Sequence, residues 1–405
     1  GLVGSEMCIR DRKNFMKKSM IVAAMLAMVA TGANAKSATD SATIAKNKPV
    51  FTVVKQNPIT SIKDQNRSGT CWAYSTLSYF ESEILKHTGK TYDLSEMFVA
   101  NKTYMDRATM AVRMHGDVSF SQGGSAYDVL YALQHYGIVP EGAMPAPGTL
   151  TGDSLANFGE FFDVMTPYVE AVAKSNAKKI SSAWKSGLQG IIDSYIGKTP
   201  EKFTYQGKQY TPQSFCQSLG LNLDDYVTIT SYTHHPMWSK FAVEVQDNWR
   251  WPLSYNVPMD DLCKIIDNAI NNGYTIAWGG DVTEDGFTRK GLGIAYDVKK
   301  VRSMAGTDAD HWFKLSKDEK KEKFDSLGVN APEVVPTQAM RQEAFDNWET
   351  TDDHGMHIYG IAKDQNGKEY YMVKNSWGEY GDYKGTWYMT KAFVAYKTMD
   401  FMVNK

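Results

Sequence analysis

The sequence predicts an α+β fold. Helical patterning dominates from about residue 71 to residue 271, and the chain then turns to β-prone runs near its end. With 405 residues, 42% hydrophobic and 22% charged, it can bury a large core, and collagen-like, coiled-coil and disordered classes drop out.

The elements follow in chain order. Phe51 to Val54 suggests a short strand. From Cys71 to Lys86, Trp72, Leu77, Phe80, Ile84 and Leu85 recur at near-helical spacing, and Gly89 closes the run. A second helix is expected from Ala126 to His135, ending at Gly137; helical patterning follows from Leu155 to Ile196, and a short helix from Asp260 to Asn271. The lysine-rich stretch from Asp308 to Phe324 reads as a solvated helix. His357 to Ala362 and Glu369 to Lys374 are β-prone and flank an Asn366-Gly367 turn, the signature of a hairpin. A three-residue loop, Gln365-Asn366-Gly367, pairs Lys363 with Glu369 and places His357 opposite Asn375. A register shifted by one residue turns those side chains to opposite faces.

The front of the chain reads as a targeting segment. Residues 1–15 fit neither a signal nor a fold and are set aside as a non-native leader. Met16-Lys17-Lys18 is a basic start, Ile21 to Ala30 an apolar middle, and Ala33-Asn34-Ala35 a cleavage site. The apolar stretch is too short to span a bilayer. The expectation is a signal peptide over residues 16–35, export to the periplasm or medium after cleavage near Ala35, and an N-terminal arm over residues 36–57. The net charge is −2, and without residues 1–35 the balance is 39 basic to 44 acidic residues, which argues against a nucleic-acid partner. Cys71, Cys216 and Cys263 remain, an odd count that flags a thiol rather than a disulfide framework.

Cys71 opens a predicted helix, where the positive end of the helix dipole favours thiolate over thiol. Gln65, six residues earlier, offers a side-chain N–H₂ that joins the Cys71 backbone N–H as a pair of oxyanion donors. His357 is the expected general base and acid, and Asn375 the residue that fixes its tautomer. His354, immediately after the Asp352-Asp353 pair, is a rival base, but Met356-His357 followed by strand residues favours His357. Cys216 and Cys263 lie in helical patterns near leucine and isoleucine and read as structural. His234-His235 is followed by Pro236, with no carboxylate or cysteine at metal spacing in sequence, so neither a metal nor another cofactor is expected.

Gln65-Asn66-Arg67-Ser68-Gly69-Thr70-Cys71-Trp72-Ala73 resembles the nucleophile segment of papain-like cysteine peptidases, and Asn375-Ser376-Trp377-Gly378 resembles their asparagine motif. The resemblance implies a two-lobed fold, one lobe helical and one β-barrel-like. It implies that Trp377 shields the histidine–asparagine hydrogen bond, and that Gly123 and Gly124, in Gln122-Gly123-Gly124, pair with substrate backbone. Cys71 and His357 are 286 residues apart, about double the ~130–150 of a minimal papain-like enzyme. The extra length implies a mainly helical insertion at about 150–258 within a peptidase domain spanning 58–405. Aminopeptidase C and bleomycin hydrolase carry such an insertion. Tyr136-Gly137-Ile138-Val139-Pro140, Tyr255-Asn256-Val257-Pro258-Met259 and Ala277-Trp278-Gly279-Gly280-Asp281-Val282 resemble that branch. Ser68 and Ser121 stand where secreted papains carry bonded cysteines, a disulfide this branch lacks.

The resemblance implies peptide substrates, no stable membrane insertion, a hexameric assembly and aminopeptidase activity through a Cys71 acyl-enzyme. Branch members read the substrate's amino group with the carboxylate of a C-terminal arm. Lys405 stands close to where that arm begins, so another acid is expected to serve, with Asp352 and Asp353 nearest to His357 in sequence. An open cleft implies an endopeptidase or a dipeptide-releasing peptidase instead, and a decayed site a peptide-binding protein. The complete set of Gln65, Cys71, His357 and Asn375 argues against decay.

Overall fold

A computed structural model of the chain describes residues 47–146, 155–300 and 326–405, together with positions 316, 319 and 324. Residues 1–46, on which the expected leader, signal peptide and start of the N-terminal arm fall, and most of the lysine-rich stretch lie outside the described residues. The molecule is α+β: helices gather in the first half, and one large mixed sheet is completed by the last fifty residues.

Strand β1 (Thr52–Gln56) leads into helix α1 (Cys71–Thr88), which is buried along most of its length and ends at Gly89 as the periodicity predicts. Helix α2 (Glu96–Arg113) starts at Ser95, whose side chain accepts from the Phe98 N–H and satisfies one of the orphan donors of the first turn. Helix α3 (Ala126–His135) occupies the predicted span; its capping box joins Ser125 to Asp128. The helical stretch expected from 155 to 196 is two helices, α4 (Gly159–Ala173) and α5 (Ala183–Tyr195). A small hairpin, β2 (Phe203–Tyr205) with β3 (Lys208–Tyr210), and helix α6 (Pro212–Ser218) follow. These helices and α1 share one core cluster, which includes Leu77, Phe80, Tyr104, Phe158, Phe161 and Leu188.

The end of the expected insertion is strand rather than helix. Strands β4 (Tyr226–Thr230), β5 (Lys240–Phe241) and β6 (Ser254–Asn256) join the main sheet, and helix α7 (Met259–Asn271) packs beside it. The sheet is completed by β7 (Ile276–Gly280), β8 (Phe287–Thr288), β9 (Leu292–Gly293), β10 (His354–Lys363), β11 (Glu369–Lys374), β12 (Thr386–Thr390) and β13 (Thr398–Asn404). Helices α8 (Gln338–Asp346) and α9 (Lys391–Lys397) connect these strands. The strand order is β5-β6-β4-β13-β7-β10-β11-β12-β9-β8, with β1 also paired to β10. A second apolar cluster, including Ile266, Trp278, Ile358, Trp387 and Phe401, fills the space between the sheet and α7. Among the described residues, no helix is long and apolar enough to cross a membrane.

The β10–β11 hairpin decides the geometry of the site. Its turn is as predicted: Lys363 pairs with Glu369, and Gly367 takes a φ of 81° that an L side chain resists. The pairing then slips at Tyr359. Gly360 faces Met372, but Ile358 faces Val373 and His357 faces Lys374. That β-bulge inserts one residue into β10, so the expectation that His357 lies opposite Asn375 is not met. The cause is tertiary. β10 pairs with β7 over 354–358 and with β1 over 360–363, and the extra residue falls where its neighbour changes.

Candidate active site

The slip changes which histidine meets Asn375. An odd number of positions separates His354 from His357, which puts their side chains on opposite faces of β10. His357 points inward. It is fully buried, its Nδ1 lies 2.9 Å from Ser78 Oγ, and its Nε2 has no hydrogen-bond partner among the described residues. Burial pushes its pKa well below the usual histidine value, and the Lys374 charge pushes it further. His354 instead reaches the asparagine, with its Nε2 2.8 Å from Asn375 Oδ1. The contact expected between His357 and Asn375 is therefore made by His354 instead.

The tautomer follows from the partners. The Ser376 N–H, which can only donate, lies 2.8 Å from the same Asn375 atom, so that atom is the amide oxygen. The oxygen accepts from His354 Nε2–H, which leaves the lone pair on Nδ1. Trp377 lies over this pair, its ring centroid 5.0 Å from that of His354, and is itself backed edge-on by Trp387. Burial lowers the His354 pKa to about 4, opposed by the Asn375 hydrogen bond, so the resting imidazole is neutral and ready to take a proton.

Gly355 fixes the approach of β10 to the start of α1. A Cβ built there meets Ser75 Oγ at 2.7 Å and the Cys71 carbonyl oxygen at 3.3 Å, so only glycine lets the strand lie this close. Cys71 is half-buried at the first position of α1. Gln65 is buried, and its amide is fixed at both ends. Its Nε2 donates to the Ser68 carbonyl at 2.7 Å, and its Oε1 accepts from Ser376 Oγ at 2.6 Å. Because Nε2 carries two hydrogens, the bond to Ser68 uses only one of them. The other thiols differ from Cys71 in setting. Cys216 is buried, which raises its pKa to about 11, and burial also raises that of Cys263.

Gly123 and Gly124 border the same place. Gln122 anchors them: its carbonyl accepts from Trp72 Nε1 at 3.0 Å and Tyr104 Oη at 3.1 Å, and its side chain accepts from the Gly69 N–H at 2.7 Å. A Cβ on Gly123 collides with the Asp247 carboxylate, 1.8 Å away. Arg107 of α2, fully buried, ties the segment together by donating to Gly123 O at 2.6 Å and to Asp247 Oδ1 at 3.0 Å. No local motif announces Arg107 or Asp247.

Carboxylates crowd this end of the site. Asp352 is held well above the usual carboxylate range, first by burial and then by the negative charges of Asp247, Asp400 and Asp353, while Arg107 opposes them. Burial alone raises Asp400 to about 6. Asp353 is raised to about 7 by burial and by Asp281, and its carboxylate accepts from Thr351 Oγ1 at 3.0 Å.

Gln65→Ala is expected to lower kcat on the order of 10²–10³-fold with KM little changed, because the donor acts on an oxygen that becomes charged only in the transition state. Steady-state kinetics on a fluorogenic peptide checks this, and an unchanged kcat places the oxyanion donors elsewhere.

The sequence profile of the Peptidase C1-like family matches residues 6–348. Among curated proteins, the chain is 23% identical over 385 residues to aminopeptidase G of Lactobacillus delbrueckii subsp. lactis, covering 86% of this chain and 82% of that protein. It is 23% identical over 401 residues to aminopeptidase C of Lactobacillus helveticus, covering 87% and 83%. Among solved structures, PepW from Lactobacillus rhamnosis HN001 superposes with a TM-score of 0.67 at 19% identity, covering 90% of this chain and 84% of that one.

Proposed function

Because the chain belongs to the Peptidase C1-like family, we propose that it is a cysteine-type aminopeptidase that hydrolyses peptides through an acyl-enzyme on Cys71. The observation that carries this reading is the Trp377-covered His354–Asn375 pair, on a strand pressed by Gly355 against the first turn of the Cys71 helix.

His354 Nδ1 takes the Cys71 proton, and the sulfur attacks the scissile carbonyl carbon. The Cys71 N–H and the remaining Gln65 N–H hold the developing oxyanion. The imidazolium then gives its proton to the departing amine, and a thioester remains on Cys71. Water, deprotonated by His354, attacks that thioester, and the proton returns to the thiol as the acid is released. Asn375 keeps Nε2 protonated throughout, so the lone pair stays on the nitrogen that works. Of the glycine pair, Gly124 is the one whose backbone is assigned to pairing with the substrate chain, since the Gly123 carbonyl is taken by Arg107.

The exopeptidase mode draws its support from the carboxylates beyond Gly123. The negative charges of Asp247 and Asp400 press on Asp352, and a cation beside it relieves that repulsion. The α-ammonium of a peptide whose first residue precedes the scissile bond is such a cation. Asp352 fits this task better than Asp353, because Asp352 feels Asp247 and Arg107 beside Gly123, whereas Asp353 faces Asp281. The curated relatives named as aminopeptidases agree with this mode. Acylating the substrate's amino group is therefore expected to cost at least about tenfold in kcat/KM. Paired fluorogenic substrates, free and N-blocked, test it. Equal rates reject the aminopeptidase reading and leave the cysteine-peptidase reading in place.

A further inference from the structure

His234 and His235 have no metal-spaced partner in sequence, but the fold brings one to them. The chain leaves β4, passes both histidines, returns through β5 and reaches Glu244. His234 Nε2 lies 2.9 Å from Glu244 Oε2, and His235 Nε2 lies 2.8 Å from Oε1. The three ligand-bearing groups converge with all donor atoms within 4.8 Å of one another. We infer that His234, His235 and Glu244 form a binding site for a divalent transition-metal ion, with zinc the best fit.

The surroundings orient these groups. Phe241 stacks on the His235 ring at 4.1 Å, and Phe345 of α8 lies parallel to the His234 ring at 5.6 Å. The Gln342 amide faces His234 Nδ1, with Oε1 at 3.3 Å and Nε2 at 3.0 Å. The Thr233 N–H donates to Oε1 at 2.6 Å, and Nε2 donates to Asp346 Oδ1 at 2.9 Å, which fixes the amide's direction. Without metal the nearer amide atom, Gln342 Nε2, donates to a lone pair on His234 Nδ1; a metal on His234 Nε2 moves the hydrogen to Nδ1, where Gln342 Oε1 is the acceptor within reach. That is the outer-sphere contact by which ligating histidines are commonly held.

Two imidazole nitrogens and one carboxylate oxygen suit zinc, which binds such atoms at about 2.0–2.2 Å and keeps a fourth position for water. Magnesium and calcium prefer all-oxygen sets. A tetrahedral ion at those bond lengths needs its ligand atoms about 3.4 Å apart. The present contacts therefore have to open by roughly half an ångström, which half-exposed and exposed side chains allow. Bound zinc ties the loop after β4 to the segment that, three residues later, carries Asp247. The site is distinct from Cys71 and does not depend on the peptidase reading.

Calorimetric titration of the metal-free full chain with zinc chloride tests it, in a Cys71→Ala background so that the cleft thiol takes no ion. One equivalent is expected to bind. His235→Ala and Glu244→Ala are expected to weaken binding at least about 100-fold, and Gln342→Ala about tenfold. Magnesium is expected to give no heat. Circular dichroism of the metal-free variants reports folding, and His235→Gln replaces any alanine variant that fails to fold. Absence of zinc binding in the parent, or unchanged binding in the folded His235 and Glu244 variants, overturns the assignment.

Discussion

His354→Ala is expected to lower kcat on the order of 10⁴-fold or more, whereas His357→Ala keeps turnover within about tenfold of the parent. Only His354 is bonded to Asn375 and covered by Trp377, whereas His357 lies with Gly355 on the β10 face that packs against α1, bonded to Ser78. His357 contributes to stability. Truncating it leaves a cavity and removes the partner of Ser78 Oγ, at a cost of about 1–3 kcal/mol. The two variants therefore separate by readout: His354→Ala loses kcat with little change in melting temperature, and His357→Ala loses melting temperature with kcat largely kept. Steady-state kinetics and thermal denaturation on both proteins check this.

Cys71→Ala is expected to remove turnover altogether, on the order of 10⁵-fold, because no other group at the site can carry an acyl intermediate. Labelling by a thiol alkylator is expected to vanish from the site in the same variant. Cys216→Ala and Cys263→Ala are expected to keep both activity and Cys71 labelling, since burial holds each of those thiols in its protonated form. Intact mass after brief iodoacetamide treatment, measured beside kcat for the three variants, gives the comparison. Near-normal turnover in Cys71→Ala removes the nucleophile assignment.

Much of this arrangement is legible in the sequence because it is local. The helices that open at Cys71 and Ala126 are set by apolar periodicity and nearby stop signals, and the structure ends them where those signals stand. The hairpin is legible down to its Lys363–Glu369 pair, because turn length and Gly367 fix the first rungs. The bulge at Tyr359 is not legible, since it arises where β10 changes neighbour from β7 to β1. The Asn57 N–H, on the segment after β1, donates to the Tyr359 carbonyl at 2.9 Å. One inserted residue is enough to move the reactive imidazole from position 357 to 354.

Helix α2 escaped the periodicity for a related reason. It buries Glu96, Asn101, Thr103 and Arg107 beside Phe98 and Tyr104, so polar residues interrupt the apolar stripe that marks a helix. Arg107 is placed there by the site, as the cation that links Gly123 to Asp247. Asp247 and Glu244 are equally silent in sequence. Their partners lie in other elements, and the return through β5 that delivers them carries no motif of its own. Functional groups assembled over such distances become visible only with the fold.

The central claim is that His354, and not His357, receives the Cys71 proton. The rate of Cys71 alkylation at pH 6 tests it most directly, because a neighbouring base must then take the proton for the sulfur to react. The parent and His357→Ala are expected to react at similar rates, and His354→Ala at least about tenfold more slowly. A His354→Ala chain that alkylates at the parent rate, with His357→Ala slowed instead, contradicts the account.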